Sequence, residues 1–226
     1  MGKTHNSITQ SFMTPLSALQ SLKEGNQRFV NNLKVNRNLL QQVNETRDGQ
    51  WPFATIVSCM DSRTSAELIF DQGLGDIFSI RVAGNVINTD IVGSLEYACK
   101  VAGSKLIVIL GHSNCGAIKG ACDHVEVGNL TDLLSKIQPA VYQEKTILDP
   151  ALRTSDNYDF VENVATLNVR RSVKTVIDRS YILEQMIEKK EIAIIGAKLF
   201  VETGRVEFYD DTMICGKRSV KEQMAY

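Results

Sequence analysis

No stretch of this 226-residue chain reaches the roughly twenty consecutive apolar residues that a membrane-spanning helix requires. Residues 1–12 lack the apolar core of a secretory signal, so the cytoplasm is the expected compartment. Met1-Gly2 invites N-myristoylation, but Asn6 stands where that motif wants Ser or Thr, with Ser7 one place late. Neither sign of charge is in excess: 25 Lys and Arg face 26 Asp and Glu, and no basic block occurs. Electrostatic attachment to nucleic acid or to an anionic membrane therefore has no compositional support, and a small-molecule partner is favoured. Five cysteines, odd in number and unevenly spaced, do not make a disulfide framework and suit reduced thiols plus a metal site. There is no internal repeat and no low-complexity segment.

What the chain does contain is a pair of short segments, Cys59-Met-Asp61-Ser-Arg63 and His112-Ser-Asn-Cys115-Gly116. Each follows a continuous apolar run of strand length, residues 53–58 and 105–110. Such runs suit parallel strands buried on both faces. Each candidate ligand then sits beyond the carboxyl end of a central strand, where open α/β sheets place their ligands, and two such strands, if neighbours, bring Cys59 and Cys115 together. Two thiolates and one imidazole make a Cys2His zinc set with a free fourth position, which distinguishes catalytic from structural zinc, and such an ion can activate water.

The remaining pattern alternates. Thr14-Pro15 is a cap with a first-turn proline, and Leu16, Leu19, Leu22, Phe29 and Val30 recur at helical spacing. Residues 31–50 are polar and read as a surface excursion before Trp51-Pro52. Residues 65–70 read as a short helix, 77–82 as a strand, 91–102 as a helix and 114–122 as a helix leaving the site. Residues 130–190 are mainly helical, 191–196 form a fourth strand, and 198–208 read as a hairpin around Thr203-Gly204. The expected fold is α/β, a central mostly parallel sheet of four strands with an added edge strand, flanked by helices. One domain is expected, divided into an amino-terminal helical arm (1–50), a zinc-site core (51–125), a helical segment (126–190) and carboxy-terminal strands and tail (191–226).

Alternate residues beyond a strand end can face one side, so Asp61 is expected near the metal. Its carboxylate could accept a hydrogen bond from metal-activated water or bind the metal and close the site, and Arg63 can decide between these by clamping it in bidentate fashion. Cys122 lies two helical turns beyond Cys115, roughly 10 Å along the axis and too far for the same ion. Cys99 falls inside a predicted helix, so it and Cys215 read as core or surface thiols.

At these motifs the chain resembles the β-class carbonic anhydrases, over roughly residues 19–208. Cys59-Met-Asp61-Ser-Arg63 is similar to that family's CxDSR segment, and Gly111-His112-Ser113-Asn114-Cys115-Gly116 to its GHxxCG segment. Leu22-Lys-Glu-Gly-Asn-Gln-Arg28-Phe29 and Arg81-Val-Ala-Gly-Asn85 resemble two further landmarks. The resemblance implies one Zn2+ per subunit held by Cys59, His112 and Cys115, with Asp61 and Arg63 as the catalytic dyad. It also implies that Gln50, Phe78, Tyr97 and Gly116 meet substrate, part of the pocket coming from a neighbouring subunit of a homodimer or dimer of dimers. The implied reaction is reversible hydration of carbon dioxide to bicarbonate and a proton, by attack of a zinc-bound hydroxide.

Two thiolates cancel the formal charge of Zn2+, so water in this site is expected to be less acidic than in a three-histidine site, and alkaline conditions should favour turnover. The resemblance further implies the open-site, plant-like branch, because Ile56 and Ser58 stand where the bicarbonate-switched branch has tryptophan and glycine. Arg81 resembles that switched branch's bicarbonate-holding arginine, but the open branch carries an arginine there too. Met60, Thr64 and Ser65 depart from the commonest family pattern without removing a ligand. Of the three histidines, His112 is a ligand, His5 lies in a tail expected to be mobile, and His124 reads as a surface residue, leaving buffer to take the proton. Alternatives are a hydrolase of carbon disulfide or a related small electrophile on the same scaffold, and a non-catalytic zinc-stabilised binding protein.

Overall fold

The computed structural model describes residues 4–217; Met1-Gly2 and the end of the carboxy-terminal tail lie outside the described residues. In chain order the main elements are α1 (Ser7–Ser11), α2 (Pro15–Val30), α3 (Leu39–Glu45), β1 (Ala54–Ser58), α4 (Ala66–Ile69), β2 (Ile77–Arg81), α5 (Thr89–Glu96), β3 (Leu106–His112), α6 (Gly116–Cys122), α7 (Gly128–Ser135), α8 (Gln138–Gln143), α9 (Tyr158–Arg179), α10 (Tyr181–Glu188), β4 (Ala193–Leu199) and β5 (Val206–Ile214).

The sheet runs β2-β1-β3-β4-β5. The first three pairings are parallel, and β5 is added antiparallel to β4. The fully buried strands are the central ones: every residue of β1, β3 and β4 is buried, because helices cover both faces. One face packs Ala18, Leu19 and Leu22 of α2 and Ile69 of α4 against Ile56, Val108 and Ile195. The other packs Leu95 of α5, Val173 and Val176 of α9 and Leu183 of α10 against Val57, Ile107 and Ile194. The expected fold class stands.

Close approach of α9 sets the geometry beneath the site. A Cβ on Gly111 would lie 2.6 Å from a Val169 methyl, and one on Gly196 2.8 Å from the other. A side chain at either position would push α9 off the carboxyl half of β3 and β4. Beyond the strand ends a third apolar cluster gathers Ile118 and Ala121 of α6, Leu134 of α7, Ile137, Val141 of α8, and Phe160 and Val161 of α9. Cys59 and Cys115 lie in this cluster.

Several expectations change. The fourth strand and the first arm of the hairpin are one continuous strand, β4, so Lys198 is a strand residue and buried. The turn falls at Thr203-Gly204 as expected, Gly204 taking φ +72°, but β5 continues to Ile214. Residues 31–50 include α3, started by Asn38, whose side chain accepts the Gln41 N–H. The helix expected over 91–102 begins earlier, at Thr89, and ends as a π-helical turn, Tyr97–Val101. Leu16 and Val30 are exposed although they share the helical spacing of buried Leu19 and Leu22. His5 is not in a free tail: its N–H donates to Asp76 (3.1 Å) and its ring packs 5.1 Å from Phe53. No helix among the described residues is long and apolar enough to cross a membrane.

Candidate metal centre

β1 and β3 are hydrogen-bonded neighbours with Ser58 opposite Leu110. Their carboxyl ends therefore deliver Cys59 and His112 to one place, and a tight turn after β3 returns Cys115 to it. The potential ligand atoms of Cys59, His112 and Cys115 all lie within 4.8 Å of one another, and all three residues are buried. His112 Nδ1 is 2.9 Å from the Ser113 carbonyl oxygen. A proton on Nδ1 satisfies that contact and leaves Nε2 with a free lone pair, the tautomer a metal needs. Nε2 is buried with no hydrogen-bond partner. An orphaned ring nitrogen facing two thiols is what a metal ion would satisfy, and this donor set matches an open zinc site.

The thiols divide a proton unequally. The nearby Cys115 thiol, against the cost of burial, pulls the Cys59 thiol down. The same contact and burial push Cys115 up.

Asp61 is close but stands apart from the three-residue cluster. Its Oδ1 accepts both the backbone N–H and Nε–H of Arg63 (2.9 Å each), and its Oδ2 accepts from the Arg63 guanidinium at 2.8 Å. This clamp holds the Asp61 carboxyl well below the usual carboxylate range. The loop beneath it is tied down. Thr64 Oγ1 donates to the carbonyls of Cys59 (2.8 Å) and Asp61 (2.9 Å), and Arg81, at the end of β2, donates to the same two carbonyls. Gly116 opens α6, and a Cβ there would meet nothing within 4 Å.

The remaining sequence-predicted residues are elsewhere. Phe78 and Tyr97 do meet, with ring centroids 6.4 Å apart, but they line a separate cavity of about 660 Å³ with Ile80, Thr89 and Ser94. Phe78 pairs with Thr55, three register positions before Arg81 and Ser58, or about 10 Å down the strand. Gln50 is exposed beside Trp51. The structure does not gather these three at the metal cluster within one chain. Cys122 ends α6 in the apolar cluster and Cys99 is a buried residue of the π-helical turn; burial pushes both thiols up to about 12. His124 is exposed, as expected.

Sequence reading missed the groups behind the His112–Cys115 turn: Glu162, Lys198 and Glu202. The available signals were a lysine between Ala197 and Leu199 and a glutamate beside Val161 on an apolar helix face.

A family model described as carbonic anhydrase matches residues 54–206. The chain is 35% identical over 204 residues to carbonic anhydrase 2 of Mycobacterium tuberculosis, covering 87% of this chain and 93% of that one. It is 35% identical over 200 residues to a carbonic anhydrase of Mycolicibacterium smegmatis, covering 85% and 92%. Among solved structures it is similar to a tetrameric β-carbonic anhydrase of Sordaria macrospora, with TM-score 0.66, 25% identity and coverage of 86% and 94%.

Proposed function

This chain belongs to the β-class carbonic anhydrases, and from that premise we propose that it hydrates carbon dioxide reversibly at one zinc ion held by Cys59, His112 and Cys115. The observation that carries this reading is the buried, unpartnered His112 Nε2 among two thiols, with Asp61 withheld from them by Arg63. Zinc, when bound, supplies Lewis-acid activation of water.

The chain's own residues supply direction. Because Arg63 occupies both oxygens of Asp61, the carboxylate remains ionised at working pH and acts as a hydrogen-bond acceptor. It takes a hydrogen bond from the reacting water and aims the water's lone pair at the carbon of the substrate. Arg81 and Thr64 fix where that carboxylate stands by holding the carbonyls of its loop. Glycine at 116 keeps the approach clear. The open-site reading draws support from the bidentate Arg63 clamp together with Ile56 and Ser58.

Gln50, Phe78 and Tyr97 complete the pocket of a second copy. Tyr97 is 54% exposed at the β2 edge of the sheet, which supports a contact made across subunits. The oligomer is a homodimer or a dimer of such dimers, as the tetrameric Sordaria relative supports. Five free thiols suit the reducing cytoplasm.

Stopped-flow hydration against pH, with zinc measured on the same sample, tests the reading. Zinc-replete protein should turn over carbon dioxide faster towards alkaline pH and more readily than carbon disulfide, and Asp61→Asn should lose about 100-fold, the lower end for a positioned proton-handling group. No hydration above buffer by zinc-replete protein would overturn it.

A further inference from the structure

The turn from Ser113 to Asn114 carries no metal ligand, yet it sets the distance between two of them, His112 and Cys115. Asn114 lies in the left-handed region at φ +56°, and its backbone and side-chain N–H groups both find carboxylates. The Asn114 N–H donates to Glu162 Oε1 (2.9 Å) and its side-chain amide donates to Glu202 Oε1 (2.9 Å). Ser113 Oγ donates to Glu202 Oε2 (2.9 Å) and accepts the Val201 N–H (3.0 Å), while the Ser113 N–H donates to the Leu199 carbonyl (2.9 Å). Every one of these partners comes from α9, β4 or the turn after β4.

Two features of the carboxylates stand out. Glu162 is 9% exposed and ion-paired with Lys198, itself 6% exposed inside β4. A buried ion pair is weak support for stability, because apolar residues of similar volume often serve as well. Charge here does something apolar residues cannot: it presents an anionic acceptor to a single turn N–H, and such bonds are about twice as strong as neutral ones. Glu202 is different, exposed and bridging two adjacent side chains with its two oxygens. With both carboxylates removed, the Asn114 N–H and side-chain amide would lose the partners that hold this residue left-handed, and the His112-to-Cys115 spacing could relax.

We propose that Glu202, backed by the buried Glu162–Lys198 pair, is a positioning residue for the metal site, locking the Ser113-Asn114 turn so that His112 and Cys115 grip the ion together. The proposal rests on the zinc-site reading above. Groups that orient metal ligands from behind typically change metal affinity by about 10–100-fold when removed, and the lock should show chiefly as slower metal release.

The test uses full-length protein loaded with zinc or with cobalt, and measures release to an excess of a chromogenic chelator at neutral pH. Glu202→Ala should release metal about 10–100-fold faster and shift the visible absorption bands of the cobalt form, while the unfolding midpoint of metal-free protein stays the same. Glu202→Gln, which keeps one acceptor, should fall between. Behind it, Glu162→Gln with Lys198→Met retains an acceptor for the Asn114 N–H, whereas Glu162→Leu with Lys198→Met does not; only the second should speed release. If Glu202→Ala releases metal as slowly as wild type with an unchanged cobalt spectrum, the positioning role is wrong and the zinc site stands. If wild type itself takes up no stoichiometric metal, the zinc-site reading fails and the proposal with it.

Discussion

Asp61 and Asp71 are both held by arginine, yet they belong to opposite kinds of site. Asp61 takes its arginine from two residues along the chain, its side chain is 19% exposed, and Arg63 is 51% exposed. Asp71 is 3% exposed and takes two arginines, Arg28 and Arg37, from 43 and 34 residues away. It also accepts the Val35 N–H. The first pair is a local clamp, formed with little loss of chain entropy and left open to solvent at the mouth of the metal centre. The second ties the amino-terminal arm to the loop between α4 and β2. Pairing with arginine therefore says nothing by itself about role; burial and the separation of the partners do.

The largest effect expected from breaking this contrast is in stability. Asp71→Ala leaves two arginines facing a buried gap and should cost about 3–5 kcal/mol, read from urea unfolding, while hydration per zinc-loaded folded molecule stays near wild type. Asp61→Asn should do the reverse: the roughly 100-fold activity loss corresponds to about 2.7 kcal/mol of barrier, with stability changed by less than about 1 kcal/mol, as for exposed ion pairs. A comparable stability loss in both variants would erase the distinction.

A pH titration sharpens it. Burial raises the Asp71 pKa, but the hydrogen bonds from Arg28, Arg37 and Val35 together outweigh it, and the net shift is downward. The stability this group confers is fully present above its unfolded pKa of about 3.9 and is lost as pH falls through the lower folded value. Asp71→Asn should flatten that acid limb in urea midpoints measured from neutral pH downward. The smallest effect belongs to a surface pair between α2 and β5, Lys23 with Asp210. Asp210→Asn should move the unfolding free energy by no more than about 0.5 kcal/mol, and a larger change would mean that exposure misjudges which pairs matter.

The same divide explains how far the chain could be read in advance. The central strands were legible because uninterrupted burial demands uninterrupted apolar residues, and β1, β3 and the first half of β4 obey that rule. The second half of β4 was not, because Lys198 interrupts the run and only its partner Glu162, on a helix thirty-odd residues earlier, makes its burial tolerable. The arm's α3 was hidden in polar sequence, since a short helix can be started by one Asn38 cap without an apolar stripe. Phe78 and Tyr97 could be named, but their place on a sheet edge away from this chain's own metal cluster could not.

By itself the sequence determined the Cys59, His112 and Cys115 cluster able to hold a metal and the Asp61–Arg63 clamp, because each is written within a few residues of a strand end, where backbone geometry dictates which side chains converge. Only the tertiary structure decided which strands lie side by side to unite Cys59 with His112, which carboxylates brace the turn to Cys115, and which arginines close on Asp71. Those contacts join residues far apart in the chain, and their strength depends on burial, which exists only once the sheet and its helices have packed.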